Sequence, residues 1–330
     1  MRKSTKLLSL LIALMLAVSL VGCGGATESD DTSSNEAPQE APQETPQETP
    51  EEAEITVSPA IVDAVNSYFA NMPDHIYKIN QSEFVDKVKA GEDMFVLDIR
   101  QPDVYGEGHI KGAVNAPWGT AVSDSLDKLP KDKPIMVYCY TGQTAGQTVA
   151  LLNMAGFDAR SVNLGWNLGI SKVEGVDEVT ETTANDFAEV EPLEIDPDVK
   201  EAIVSYFEGL DGVKDTMFKN YKISEDSLNE LVNAEDNTIE ILSIRSEKDY
   251  ANGHIPGAIN IPWGAGMETE FSTLPMDKTI VVYCYTGQTA GQTVAGLRML
   301  GYDAVSLNGG MGMDANAPSG WANKGYEVIQ

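Results

Sequence analysis

Only three cysteines and three histidines occur in 330 residues, and 22 Lys and Arg stand against 51 Asp and Glu. With Cys139 and Cys284 the only thiols beyond residue 23, a disulfide scaffold is excluded. Two thiols at equivalent places in separate domains, with histidines held inside turn motifs, do not supply the three or four convergent ligands of a zinc site, so no metal is expected. The formal charge of −29 excludes nucleic acid as a partner, because such affinity comes largely from Lys and Arg neutralising phosphates. The apolar run from Leu7 to Val21 is short for a bilayer span of about 20 residues.

What the first 57 residues do contain points outward. Arg2, Lys3 and Lys6 precede the apolar run, which ends in Leu20-Val21-Gly22-Cys23, the pattern of a secretory signal over residues 1–22. The last four residues resemble the lipobox of bacterial lipoproteins, which implies lipid on Cys23 and an extracytoplasmic, membrane-anchored protein. Residues 23–57 carry no Lys or Arg and repeat Pro-Gln-Glu-Thr units, so they predict a hydrated, acidic tether that cannot bury enough to order itself.

The rest is one domain written twice. Tyr138 to Ala150 recurs letter for letter as Tyr283 to Ala295, and Arg100, His109 and Trp118 recur as Arg245, His254 and Trp263 at the same spacing. The repeat is too long for a solenoid unit and suits two self-sufficient domains, at 58–174 and 191–330, with an acidic linker at 175–190. Asn66 to Phe69 and Val204 to Phe207 read as helical prefixes. Loop-to-loop facing of the two cysteines is not favoured by the repeat, which argues against a disulfide between them.

Met94 to Leu97, Ile135 to Tyr138 and Ala159 to Asn163, with counterparts at Ile239 to Leu242, Ile280 to Tyr283 and Ala304 to Asn308, are apolar runs of strand length. Runs apolar on both faces belong in a parallel sheet covered by helices, giving an α/β fold. After each cysteine a helical spacing begins, with Thr144 or Thr289 as its expected N-cap and Gly156 or Gly301 as its stop. The order strand, cysteine loop, helix brings each thiol to the positive end of a helix dipole and to free backbone amides, both of which favour the nucleophilic thiolate. No histidine lies nearby in sequence, so activation by backbone is expected.

Asp98-Ile99-Arg100, Tyr105, Gly108-His109-Ile110-Lys111-Gly112-Ala113, Asn115, Pro117, Cys139 and Gly142 resemble the rhodanese homology domain, and the second copy matches through Arg245, Tyr250, Gly253-His254-Ile255, Cys284 and Gly287. The resemblance implies two tandem rhodanese-like domains, each a central parallel sheet flanked by helices on both faces. It implies a sulfurtransferase without cofactor, in which Cys139 and Cys284 hold sulfane sulfur as persulfides between a small donor and a thiol or similar acceptor. Tyr140, Thr141, Gly142, Gln143 and Thr144, and Tyr285, Thr286, Gly287, Gln288 and Thr289, become active-site loops. Asp98, Arg100, His109, Arg245 and His254 become supports.

Family phosphatases need an arginine after a longer loop to grip phosphate, and Ala145 to Thr148 provide none. Neither loop has a cation, so a dianionic donor such as thiosulfate would be desolvated unpaired, which makes it a doubtful physiological donor. Two other classes stay open: a surface module that binds a sulfur species or a partner without catalysis, and a thiol redox protein, which the absence of a resolving cysteine disfavours. Nothing in the sequence sets the oligomeric state.

Overall fold

Proline and a side-chain cap open the first helix of each copy. In the computed structural model, which describes residues 57–330, Ser58 caps α1 (Pro59–Ala70) through Oγ, which accepts from the Ala60 amide at 3.3 Å. The leader, Cys23 and all of the tether but Val57 lie outside the described residues. Among the described residues no helix is long and apolar enough to cross a membrane.

The first copy continues through β1 (Lys78–Ile79), α2 (Gln81–Ala90), β2 (Phe95–Asp98), α3 (Pro102–Glu107), β3 (His109–Ile110), β4 (Val114–Asn115), α4 (Thr120–Ser123), β5 (Ile135–Tyr138), α5 (Gln143–Met154), β6 (Ala159–Val162) and β7 (Thr180–Glu181). Five of these strands form a wholly parallel sheet in the order β1-β6-β5-β2-β4. The short β7, which falls in the expected linker, pairs antiparallel with β3, and the Asn185 side chain donates to the Ala113 carbonyl at 3.1 Å, so this part of the linker runs along the first copy's surface.

The second copy follows with α6 (Pro197–Glu208), α7 (Leu210–Val213), β8 (Lys222–Ile223), α8 (Glu225–Asn233), β9 (Ile239–Ser243), α9 (Glu247–Asn252), β10 (Ile259–Asn260), β11 (Thr279–Tyr283), α10 (Gln288–Met299) and β12 (Ala304–Leu307). Its parallel sheet, β10-β9-β11-β12-β8, repeats the first. All of β5 and Ile280 to Tyr283 of β11 are buried, as the apolar runs predict for central strands.

The copies share a core, and they do face each other loop to loop, contrary to the expectation from the repeat. Helices α5 and α10 are buried nearly all round because each packs on its own sheet and on the other helix. Their crossing is backbone on backbone: a Cβ at Gly146 would stand 2.3 Å from the Gln288 carbonyl oxygen, and one at Gly291 2.4 Å from that of Gln143. Only glycine permits that approach.

The prefix helices also cross over. Phe69 of α1 packs edge-on against Phe271 and Trp263 of the second copy, while Phe207 of α6 does the same on Trp118 of the first. Burying each such ring contributes about 1.5–3 kcal/mol, so the halves are held by apolar contact as much as by hydrogen bonds. The two tryptophans thus serve this seam, although Trp263 also borders a cleft with Lys78 and Tyr285.

Candidate active site

Cys139 follows β5 and Cys284 follows β11, each at the carboxyl end of a central strand, where ligands bind in parallel α/β sheets. Gly142 and Gly287, at φ +92° and +91°, turn the chain back over the sulfur. The Gly142 and Ala145 amides donate to Cys139 Sγ at 3.1 and 3.4 Å, and the Gly287 amide donates to Cys284 Sγ at 3.1 Å. This overturns Thr144 and Thr289 as caps. Glycine is the N-cap, the threonines lie in the first helical turn, and the sulfur accepts the glycine cap's own amide in both copies and the Ala145 amide of the first turn in copy one.

Both thiols are free and buried, at 2% and 3% exposure. Cys284 borders a cavity of about 250 Å³ together with Tyr285, Thr286 and Thr289. On the other side Tyr140 and Thr141 line one of about 290 Å³, to which the second copy contributes Thr286 and Asn308. The Tyr140 hydroxyl accepts from the Gln101 amide at 3.1 Å, and the Tyr285 hydroxyl donates to the Asp249 carboxylate. That hydroxyl, and then Ser246, hold the Asp249 carboxyl below the usual carboxylate range.

Gln143 and Gln288 reach across to the opposite copy. Gln143 Nε2 donates to Ser306 Oγ at 2.7 Å and to the Leu307 carbonyl at 3.1 Å, and Gln288 makes the same pair with Ser161 Oγ and Val162 at 2.7 and 3.3 Å. Each passes directly beneath the other copy's loop: a Cβ at Gly287 would stand 2.9 Å from Gln143 Cδ. Both side chains tie a loop to the opposite copy, and Gln143 and Gln288 also line the cavities beside Cys139 and Cys284.

The supporting residues are buried behind the loops. Arg100 is ion-paired to Asp98 at 2.6 Å, donates to the Gly108 carbonyl at 2.8 Å, and lies 4.2 Å over the Trp166 ring. Burial works against its charge, but Asp98 holds its pKa above the ordinary arginine value. His109 stacks on Tyr105 at 3.6 Å, with its ring nitrogens 2.8 and 3.1 Å from the Tyr105 and Thr183 carbonyl oxygens. His254 repeats the stack at 4.0 Å and the Tyr250 contact at 3.1 Å. Both rings brace turns.

Copy two lacks the carboxylate. Ser243 Oγ accepts only the Arg245 amide at 3.4 Å, and buried Arg245 Nε has no partner among the described residues. Ser243→Asp is expected to recreate the first copy's pair and stabilise the protein by about 1.5–3 kcal/mol, the range for hydrogen bonds to charged groups. Urea denaturation checks it, and an unchanged or lowered midpoint would refute it.

Two residues escaped the sequence reading. Lys78 lines the Cys284 cavity and Lys222 lines that beside the Cys139 loop, so cations absent from the loops arrive from the opposite copy. The signal was a repeated Tyr-Lys-Ile, at Tyr77 and Tyr221, one residue out of step with the 145-residue spacing of the cysteines.

The relatives carry the same chemistry in their names. A sulfurtransferase of Allochromatium vinosum is 30% identical over 110 residues, covering 33% of this chain and 94% of that protein. The thiosulfate sulfurtransferase GlpE of Pseudomonas entomophila is 34% identical over 85 residues, 26% of this chain and 77% of GlpE. The tRNA sulfurtransferase of Desulfurococcus amylolyticus is 37% identical over 71 residues, 22% of this chain, but the match spans only 14% of that protein's length. The rhodanese-like domain family matches residues 80–171 and again 224–312, over half of the sequence. With its two parallel sheets, two cysteine loops and two family matches, the chain belongs to the rhodanese-like family as a tandem pair.

Proposed function

We propose that both domains are sulfurtransferases that carry sulfane sulfur as a persulfide on Cys139 and Cys284. The observation that supports this reading is the backbone amides donated to sulfur at a helix N-terminus, two to Cys139 and one to Cys284, a fixed field for negative sulfur in both the thiolate and the persulfide. The thiolate attacks the outer sulfur of a donor, and the donor's remainder leaves with the bonding pair. A nucleophile such as cyanide or a thiol then takes the terminal sulfur and returns the thiolate. No electron is gained or lost overall, so no oxidant is required.

The cavities suit small donors and acceptors. The leader and Cys23 support a lipid-anchored, extracytoplasmic setting, in which the acidic tether spaces the domains from the membrane. Intact mass measured after incubation with an alkyl hydropersulfide is expected to rise by one sulfur per domain and to fall back when cyanide is added. No gain on either domain would sink the reading.

A further inference from the structure

Each site contains one ammonium, and it comes from the wrong half of the molecule. Lys78 lies in β1 of the first sheet, yet it lines the cavity of Cys284. Lys222 lies in β8 of the second sheet, yet it lines the cavity formed with Tyr140 and Thr141 beside Cys139. The crossing hydrogen bonds fix this exchange. Lys78 is in register with Ser161, whose hydroxyl receives Gln288 four residues after Cys284, and Lys222 is in register with Ser306, whose hydroxyl receives Gln143.

Neither ammonium has an ion pair or hydrogen bond among the described residues. Glu225 borders the Lys222 cavity, but its Oε1 accepts the Gly320 amide at 2.7 Å. Lys78 is the only charged side chain lining its cavity with Cys284. Burial lowers both lysines from the ordinary value, and the facing Cys284 and Cys139 push them back up. An unpaired, partly desolvated cation in a cavity lined by a cysteine loop is a place for an anion.

We infer that Lys78 binds the anionic donor that charges Cys284 and Lys222 the one that charges Cys139, each half completing the other's site for a dianion such as thiosulfate. This rests on the sulfurtransferase reading, and it reverses the sequence-based doubt about thiosulfate. The Sγ to outer-sulfur bond forms as the thiosulfate S–S bond breaks, and sulfite leaves with the pair. The ammonium faces the charge that sulfite carries away.

The test uses the full chain with one cysteine at a time. In C139S, where only Cys284 works, K78Q is expected to lower kcat/KM for thiosulfate about 10- to 100-fold, the worth of one charge-assisted contact. K222Q should cost several-fold less in that background, and in C284S the ranking should reverse. K78R and K222R should restore most of the loss, and a monoanionic hydropersulfide should be less affected than thiosulfate. Equal losses for both lysines in both backgrounds, equal losses for both donors, or no loss at all would overturn the inference while leaving sulfur transfer intact. If neither single-cysteine protein takes up sulfur from either donor, both readings fall together.

Discussion

Replacing Cys139 and Cys284 together by serine is expected to lower cyanide-dependent thiocyanate formation by about 10³-fold or more, as loss of a nucleophile does elsewhere. Either single replacement should leave the other site charging. Serine oxygen can still accept the amides of Gly142 and Gly287, so the loops keep their shape. What it cannot do is ionise near neutral pH, and the anion is the attacking species. Steady-state assay of the three variants, paired with intact mass, checks this. Turnover that persists in the double variant would remove both cysteines from the chemistry.

The second large effect is on stability. Asp98→Ala is expected to cost about 3–5 kcal/mol, because it leaves the Arg100 guanidinium charged and buried without its carboxylate. Asp98 is wholly buried, and it receives the Arg100 backbone amide at 2.9 Å as well as the side chain, so two kinds of contact are lost at once. Since the halves share one core, the loss should appear as a lower midpoint of a single urea transition. A shift worth less than about 1 kcal/mol would mean that the Gly108 carbonyl and the Trp166 face hold the cation without help.

The parts of this fold that repeat locally were legible in the sequence. Apolar runs marked β5 and β11 because both faces of a central strand are covered, and Gly156 and Gly301 marked the ends of α5 and α10 by their left-handed turns. Cys139 and Cys284 were legible through the strand-loop-helix order. What the sequence did not reveal was relative placement. The identical stretch from Gln143 to Ala150 and Gln288 to Ala295 reads as shared chemistry, but much of it is a seam in which each residue type meets a constraint twice.

The capping role was missed for a different reason. Preferences for Ser and Thr at helix starts assume that no other acceptor stands there, and the thiol sulfur does. Lys78 and Lys222 were hidden because they sit on short edge strands, out of step with the main repeat and far from either cysteine in the chain.

The matched approaches of Gly146 to the Gln288 backbone and of Gly291 to the Gln143 backbone make the seam isologous, like that of two identical subunits joined into one polypeptide. Any shift in the α5–α10 crossing must therefore displace both glutamine struts together and, through them, both reaction centres. The two thiols are mechanically coupled even if sulfur never travels between them.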